Sequence, residues 1–407
     1  MAFEFLTTAL HEREASSLRR VRYPVISNQQ GIIEINGQHY LNFASNDYLG
    51  LSQNKQVLQS YVEGLAIYGS GSGASSVVTG YSAEHQALEE DLCEAVNKPA
   101  AILFSSGFAA NQAICHALFG TNHADQRHII ADKYMHASFI QGALETSANF
   151  ARFKHNDMKH AQKLISQVTP DSLVATEGVF SMDGDLGEVA KLQQILQLTH
   201  QSPARRPWLY VDDAHAFGVI GKNGFGSLDC ENVDASYVDV LMGTFGKALG
   251  TSGAFVAGST DFIEYMVNMS KHYVYSTAIS GAQARATRAS LALIEQGEER
   301  QKLTENIAYF THCANQRGIS LLGSNSAIQP IIIGEPNGAL MCSQKLADLG
   351  LWVPAIRTPT VPKNTDRLRI TLSAMHGKRD IDALIDGLSM TLEPAVNNNV
   401  IVKAKAK

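Results

Sequence analysis

Short apolar segments, each followed by small or polar residues, recur along this chain between patterns typical of helices. Apolar strands that alternate with helices indicate a mainly parallel α/β sheet with helices on both faces. Six strands are predicted on this basis, at Ala101–Phe104, His128–Ala131, Leu173–Thr176, Trp208–Val211, Val238–Met242 and Ala254–Ala257. Such sheets bind ligands beyond the carboxyl ends of their strands, so functional residues are expected just after these segments.

The length of 407 residues exceeds one ordinary core and suits a large α/β domain with a smaller one. We predict an N-terminal arm and hairpin (1–50), a large cofactor-binding domain (51–294), a small C-terminal α+β domain (295–392) and a flexible tail (393–407). The arm is expected to hold a helix over 5–22 and a hairpin over 31–43, turning at Asn36-Gly37. The small domain is expected to hold helices over 296–313 and 379–392 and strands over 328–333, 351–353 and 368–371.

Charge and cysteine usage exclude several classes of protein. The net charge of −6 gives no reason to expect binding to nucleic acid or to an anionic membrane. The scattered cysteines favour free thiols in a reducing cytoplasm over a disulfide framework or a zinc site, and they are Cys93, Cys115, Cys230, Cys313 and Cys342. No signal peptide or membrane-spanning segment is predicted, so we expect a cytoplasmic protein without a bound metal.

A lysine flanked by glycines and small residues follows the predicted strand Val238–Met242. The segment Gly243–Gly250 is not a P-loop, because its spacing differs and Ala248 replaces the hydroxyl that would hold Mg²⁺. A solvated surface lysine is the ordinary alternative. In a tight, partly desolvated pocket, however, Lys247 can lose its proton and attack an aldehyde, which predicts Schiff-base chemistry.

An aspartate and a histidine leave the predicted strand Trp208–Val211. Asp212 and His215 could simply cap a helix and occupy a turn, or form part of a metal pair. Beside Lys247, the chemistry indicates another role. A pyridine nitrogen stays protonated next to a buried carboxylate, so Asp212 is the candidate for that contact, and His215 for a hydrogen bond to a phenolic oxygen of the same ring.

Two further strand ends carry polar residues. Ser105-Ser106-Gly107 opens a predicted helix whose free N–H groups suit a phosphate, although a plain strand-to-helix turn is the alternative. The glycine run over 69–73 lacks a preceding strand and is predicted to be a flexible loop at the rim of the site. His136 could stack on a planar ring or be a satisfied core histidine. Glu177 and Ser181 could line the same pocket.

The chain resembles the α-oxoamine synthases, which are fold-type I pyridoxal-phosphate enzymes, over about Leu18 to Leu392. The resemblance lies in the motifs above and in the segments Ser45–Ser52, Gly80–Glu89, Glu177–Asp185, Ser326–Pro330 and Ala355–Pro362. It implies an aminotransferase-like fold, a homodimer with shared active sites, and the joining of an acyl thioester to an amino acid with release of CO₂. These five segments are specific to one member of the family, and the resemblance there implies L-alanine and a pimeloyl thioester as substrates, in biotin biosynthesis. The pimeloyl group would be carried by coenzyme A or by an acyl carrier protein.

The resemblance also implies roles for individual residues. Lys247 forms the Schiff base with pyridoxal phosphate, His136 stacks on the ring, and Asp212 and His215 take the ring contacts given above. Further cofactor contacts fall on Gly107, Phe108, Glu177, Ser181, Thr244, Ser276 and Thr277, of which Ser276 and Thr277 reach the phosphate of the neighbouring subunit. Substrate contacts fall on Arg20, His136, Arg357 and Thr360, with Arg19 as the alternative to Arg20.

Three other functions are consistent with parts of the sequence. Sister enzymes that use glycine, such as 2-amino-3-oxobutyrate ligase or 5-aminolevulinate synthase, share the cofactor residues and are separated only by the member-specific segments. A non-catalytic subunit on the same fold would be expected to lack Lys247. A nicotinamide enzyme would need a βαβ context around the glycine run over 69–73, and that context is missing.

Overall fold

The computed structural model describes residues 3–120, 126–199, 205–229 and 233–397. The chain forms two compact units. The first unit comprises residues 1–50, 182–185 and 301–407, and the second comprises residues 51–181 and 186–300. The residues predicted as an N-terminal arm thus group with the C-terminal segment.

A seven-stranded sheet is the centre of the second unit, with the strand order β4-β10-β9-β8-β7-β5-β6. Its strands are β4 (Ala100–Phe104), β5 (His128–Asp132), β6 (Asn149–Phe153), β7 (Leu173–Glu177), β8 (Trp208–Asp212), β9 (Val240–Thr244) and β10 (Ala254–Gly258). The pairs among β5 to β9 are parallel, whereas β10 runs antiparallel to both of its neighbours. The predicted, mainly parallel α/β sheet is therefore confirmed.

Most strands of this sheet could be predicted from the sequence because they are apolar and buried. All five residues of β7, β9 and β10 are buried, as expected for central strands covered on both faces. The exception is β6, which the sequence analysis missed. It lies at the sheet edge and only its last residue, Phe153, is buried, so it lacks the continuous apolar run of the others.

Helices connect and cover these strands. In the second unit they are α2 (Lys55–Tyr68), α3 (Ala83–Val96), α4 (Gly107–Phe119), α5 (Ala137–Leu144), α6 (Met158–Ile165), α7 (Val189–Thr199), α8 (Thr260–Met269), α9 (Lys271–Val274) and α10 (Gly281–Gln296). Side chains of α4 and α5 pack on the sheet in one core that includes Ile114, Phe139 and Tyr210. This packing fixes the starts of α4 and α5 near the strand ends.

The first unit holds two smaller sheets. One has the order β1-β2-β3-β12 and the other β11-β14-β13. Its strands are β1 (Val25–Gln29), β2 (Ile32–Ile35), β3 (Gln38–Asn42), β11 (Ile328–Gly334), β12 (Leu351–Trp352), β13 (Ala355–Ile356) and β14 (Asp366–Thr371). Its helices are α1 (Glu4–Ala15), most of α11 (Glu298–Gln316), α12 (Pro336–Asp348) and α13 (Lys378–Asn397). The predicted hairpin turn is present, with Asn36 and Gly37 both at positive φ.

Three predicted boundaries were wrong for local reasons. The helix predicted over 5–22 ends at Ala15, because Ser17 adopts a φ of 56° and Leu18 donates back to the carbonyl of Arg13. The helix predicted over 296–313 is interrupted at Gly297, whose φ of 83° separates α10 from α11. The predicted tail begins too early, since α13 continues to Asn397, and residues 398–407 lie outside the described part of the chain.

No helix among the described residues combines the length and the apolarity that crossing a bilayer requires.

Candidate active site

A cavity of about 310 Å³ lies at the carboxyl ends of β7, β8 and β9 in the second unit. Many of the predicted site residues line it, namely Gly107, Phe108, His136, Glu177, Asp212, His215, Thr244 and Lys247. A larger cavity of about 690 Å³ lies beside α3 and α10, and its described lining includes none of the predicted residues. The grouping identifies the smaller cavity as the candidate active site.

Lys247 lies in a tightly bonded connection between β9 and β10. Its carbonyl accepts a hydrogen bond from the N–H of Gly250 at 2.9 Å, and Phe245 exchanges bonds with Gly253 and Thr251 at 2.9 Å each. The neighbouring Ala248 and Leu249 are fully buried. The backbone of the lysine is therefore held in place while its side chain is partly exposed to the cavity.

Asp212 ends β8 with a carboxylate whose two oxygens each accept a hydrogen bond. Oδ1 accepts from the N–H of Ala214 at 3.0 Å, and Oδ2 from Nδ2 of Asn111 at 2.9 Å. The residue is 3 % exposed. Both of these donors are neutral groups, an amide N–H and a backbone N–H.

The turn after β8 carries His215 into the cavity wall. Asp213 anchors this turn, because its carboxylate accepts from the N–H of Ser227 at 2.6 Å and from the hydroxyl of Ser227 at 2.5 Å. Burial raises the pKa of Asp213 to about 7, although the bonds from Ser227 oppose the shift. His215 itself is buried and lines the cavity.

His136 precedes α5 and forms its N-cap. Its Nδ1 lies 2.7 Å from the hydroxyl of Ser138 and accepts the N–H of Ser138 at 3.3 Å. The ring is open to the cavity but has protein around most of it, and this burial lowers its pKa, with the charge of Lys247 adding and that of Asp212 opposing. A neutral imidazole beside the cavity can stack on an aromatic ring.

Glu177 places a second carboxyl group beside Asp212. The two residues are register partners on β7 and β8, and Glu177 is 2 % exposed. Backbone N–H groups of Ser181 and His136 donate to it, yet its Oε1 atom has no hydrogen-bond partner among the residues that the structure describes. Burial, reinforced by the charge of Asp212, raises its pKa well above the ordinary value.

The start of α4 forms another wall. Ser106 caps the helix by accepting the N–H of Ala109 at 3.2 Å, which leaves other N–H groups of the first turn without helical partners. A Cβ on Gly107 would lie 2.6 Å from Cγ2 of Thr244, so only glycine fits between α4 and β9. A helix N-terminus with such close backbone approach suits a phosphate group.

These groups together fit pyridoxal phosphate. The amine of Lys247 suits its aldehyde, the carboxylate of Asp212 suits a protonated ring nitrogen, and the start of α4 suits its phosphate. Among the described residues, Oε1 of Glu177 is a buried polar atom without a partner. It lies in the cavity wall, where a bound group could form a hydrogen bond with it.

Three predicted cofactor residues lie elsewhere in the second unit. Ser181 is 8 % exposed and does not line the 310 Å³ cavity. Ser276 and Thr277 line a separate small pocket with Ser76, His85 and Ser105. Their segment is held by the carbonyl of Ile279, which lies 2.9 Å from Nε2 of His85.

Three of the four predicted substrate-binding residues, Arg20, Arg357 and Thr360, form a cluster within the first unit, whereas His136 lies in the second. Nη2 of Arg20 donates to the hydroxyl of Thr360 at 3.5 Å, and Arg357 donates to the carbonyls of Ser17 and Arg19. Burial lowers the pKa of Arg357, and the nearby charge of Arg20 adds to the effect. Two adjacent guanidinium groups suit an anionic ligand.

Arg19 has a different environment from Arg20. Its guanidinium forms an ion pair with Glu14 at 2.6 Å, and both side chains are exposed. The grouping with Arg357 and Thr360 therefore favours Arg20 as the candidate.

The polar residues that hold Asp212 and His136 in place were not predicted from the sequence, although two of them, Asn111 and Ser138, line the cavity. Asn111, Ser138 and Tyr210 are all buried and are joined by hydrogen bonds. A polar residue among the apolar residues of a helix or strand was the available signal, as with Asn111 in α4 and Tyr210 in β8.

The family model of aminotransferase class I and II matches residues 38–388. A curated 8-amino-7-oxononanoate synthase from Aeromonas salmonicida is 42 % identical to this chain over 385 residues, covering 94 % of each protein.

Two solved structures are similar as well. One is an 8-amino-7-oxononanoate synthase from Francisella tularensis, with a TM-score of 0.75 and 30 % identity, covering 88 % of this chain and 99 % of that one. The other is SPT with PLP as an internal aldimine, with a TM-score of 0.86 and 26 % identity, covering 97 % of this chain and 98 % of that one.

Proposed function

This chain belongs to the aminotransferase class I and II family and, within it, to the 8-amino-7-oxononanoate synthases, and on that basis we propose the reaction it performs. It condenses L-alanine with a pimeloyl thioester and releases 8-amino-7-oxononanoate, CO₂ and the free thiol, as a step of biotin biosynthesis. The cofactor is pyridoxal phosphate. The acyl carrier is coenzyme A or an acyl carrier protein.

One observation carries the proposal. Three strand ends, those of β5, β8 and β9, supply His136, the pair Asp212 and His215, and Lys247, and these residues surround one cavity of about 310 Å³. An amine, a buried carboxylate and two imidazoles are what a pyridoxal-phosphate acyltransferase needs, and a chance grouping of unrelated residues would not supply all of them in one place.

Each residue has a defined task at this cavity. When bound, pyridoxal phosphate supplies an aldehyde that joins to amines and a ring that takes up the electrons released at the amino acid's α-carbon. Lys247 holds the aldehyde at rest, and its released amine removes the α-proton of alanine. Asp212 keeps the ring nitrogen protonated, and His215 donates to the phenolic oxygen.

The remaining assignments concern binding. His136 stacks on the ring and borders the substrate, while Glu177, Gly107, Phe108, Ser181 and Thr244 contact the cofactor. In the first unit, Arg357, Arg20 and Thr360 are the proposed substrate contacts, and the planar guanidinium of Arg357 suits the carboxylate of alanine. Their grouping within that unit supports this assignment.

A homodimer with shared active sites is part of the same proposal. Exposed apolar side chains on α2 and the segment after it support it, since monomers rarely leave many such residues in water. They are Leu58, Val62, Ile67, Val77, Val78 and Tyr81. Ser276 and Thr277 are the residues proposed to reach the partner's cofactor. We also propose a cytoplasmic location, which the free thiols of Cys93, Cys115, Cys313 and Cys342 support.

A product assay tests the substrate assignment. Purified protein with pyridoxal phosphate is given L-alanine or glycine, each with pimeloyl coenzyme A or pimeloyl acyl carrier protein. We expect 8-amino-7-oxononanoate from alanine. Turnover with glycine and not with alanine would contradict the proposal, and the ratio of rates for the two carriers identifies the acyl donor.

Replacement of Lys247 tests the catalytic assignment. Lys247→Ala should abolish turnover and the absorbance band of the imine between lysine and cofactor, because the amine is removed. Lys191→Ala is the control, since Lys191 lies on α7 in an exposed ion pair with Glu188. Wild-type turnover by Lys247→Ala would refute the assignment.

A further inference from the structure

A chain of buried hydrogen bonds in the wall of the candidate active site centres on Asn111, which lines the 310 Å³ cavity. Its Nδ2 donates to Oδ2 of Asp212 at 2.9 Å and to the hydroxyl of Ser138 at 3.0 Å. Its Oδ1 accepts from the hydroxyl of Tyr210. Asn111 is 1 % exposed, so water does not substitute for these partners.

The chemistry of the partners decides which way the amide points. An ionised carboxylate only accepts hydrogen bonds, so the N–H₂ group of Asn111 must face Asp212. The carbonyl then faces Tyr210, whose hydroxyl must donate. Tyr210 is fully buried, and burial raises its pKa well above the ordinary value, so the hydroxyl keeps its proton. Both N–H bonds and the carbonyl of the amide are thus used.

The same amide reaches His136 through Ser138. Because the hydroxyl of Ser138 accepts from Asn111, its own proton is free to point at Nδ1 of His136, 2.7 Å away. The backbone N–H of Ser138 also donates to that nitrogen, at 3.3 Å. Two donors directed at Nδ1 require it to be unprotonated, so the ring proton resides on Nε2.

We infer that Asn111 is a positioning residue of the reaction, orienting the Asp212 carboxylate directly and fixing the tautomer of His136 through Ser138. The inference rests on the proposed function, in which these two residues contact the cofactor ring. A neutral donor is suited to the task. It stabilises the charge of Asp212 without cancelling it, whereas an arginine or lysine at this position would compete with the ring nitrogen for the carboxylate.

Near-isosteric replacement tests this role. Asn111→Leu removes both donors and keeps most of the volume. In the holoenzyme we expect kcat to fall about 10- to 100-fold, because hydrogen bonds to a charged group are of that worth. The pH midpoint of the imine absorbance should also move upward, because a ring that is less often cationic withdraws less electron density from the imine nitrogen, which then keeps its proton to higher pH.

Gln112→Leu is the matched control. Gln112 is the next residue of α4, is 9 % exposed, and lies 3.5 Å from Glu145 rather than at the cavity. Gln112→Leu also removes a buried side-chain amide, so it measures the effect of that loss on folding and activity at a position away from Asp212. If the Asn111 and Gln112 variants changed kcat and the absorbance midpoint equally, the inference would be overturned.

Two further variants separate the effect of Asn111 on Asp212 from its effect on His136. Ser138→Ala should leave the absorbance midpoint unchanged, because the bond from Asn111 to Asp212 remains, but should alter the ¹⁵N signals of the His136 ring in histidine-labelled protein. Tyr210→Phe should shift the midpoint in the same direction as Asn111→Leu, by less. If Asn111→Leu fails to fold, Tyr210→Phe decides, and an unchanged midpoint overturns the inference.

The outcomes also distinguish this inference from the proposed function. A wild-type protein that binds no pyridoxal phosphate, or makes no product, refutes the proposed function. A wild-type protein that is active, with an Asn111→Leu variant that matches it in kcat and absorbance midpoint, refutes only the role of Asn111.

Discussion

Glu177 is a buried acid that should carry a proton when the protein is folded. Its pKa is raised well above its ordinary value of 4.5, chiefly by burial. The unfolded chain has the ordinary carboxyl pKa, and the folded protein has the raised one. Between these two pKa values, the folded protein holds a proton that the unfolded chain has released, so the free energy of unfolding falls as the pH rises.

Glu177→Gln should remove that pH dependence, because glutamine keeps an acceptor for the N–H groups of Ser181 and His136 but has no proton to lose. We expect the variant to gain thermal stability relative to wild type as the pH rises above the ordinary carboxyl pKa of 4.5. Differential scanning calorimetry of the cofactor-free protein is the measurement. Glu90→Gln, on an exposed position of α3, is the control. A constant difference between variant and wild type across the pH range would contradict the expectation.

The position of a residue at the cavity could be predicted from the sequence where its chemical group follows a strand directly, as with Lys247 and Asp212. The role of Asn111 could not be, since it depends on α4 lying against β8, and only packing shows which buried amide meets which carboxylate. The same holds for Ser181, which stands in the predicted pocket segment but lies outside the cavity lining.

At the scale of elements, α4 and β9 meet at a contact that only glycine permits. Gly107→Ala would bring a Cβ to 2.6 Å from Cγ2 of Thr244, so we expect a loss of about 1–3 kcal/mol in stability and weaker binding of pyridoxal phosphate. Thermal unfolding and cofactor titration measure the two effects. Thr244→Ser removes the methyl group in question while keeping the hydroxyl, so the double variant should recover most of the loss.

Gly71→Ala is the control for that comparison, because a Cβ there would meet nothing within 4 Å and its φ is ordinary. Equal losses for the Gly107 and Gly71 variants, or no recovery by Thr244→Ser, would show that the α4–β9 contact is not the cause.

Strands with a continuous series of buried apolar residues could be predicted from the sequence. Boundaries that depend on the backbone conformation of a single residue could not. β7, β8 and β9 were identified because their apolar residues are contiguous, and the hairpin because Asn-Gly favours its turn. The start of α11 was predicted at Gln296, two residues before Glu298, since helix-forming residues lie on both sides of Gly297. The antiparallel direction of β10 was also outside the reach of an apolar pattern, which is the same for either direction.

At the scale of the whole molecule, the proposed dimer makes the exposed apolar side chains of the second unit testable. Val78 is 72 % exposed. Val78→Lys should weaken self-association by at least about tenfold, because a charge would be buried at the interface. Leu198→Lys is the control, since Leu198 is 79 % exposed on α7, away from that segment in sequence. Sedimentation velocity over a range of concentrations measures both, and equal association of the two variants would argue against this interface.

The short connection between β9 and β10 has a consequence for how turnover proceeds. Its backbone is bonded at Phe245, Lys247 and Gly253, close to each end and in the middle. In the proposed reaction, the amine of Lys247 leaves its resting partner, approaches a carbon atom and returns in every catalytic cycle. Because the main chain is held by these bonds, the amine can move by rotation about the carbon–carbon bonds of its own side chain, and no loop has to rearrange between cycles.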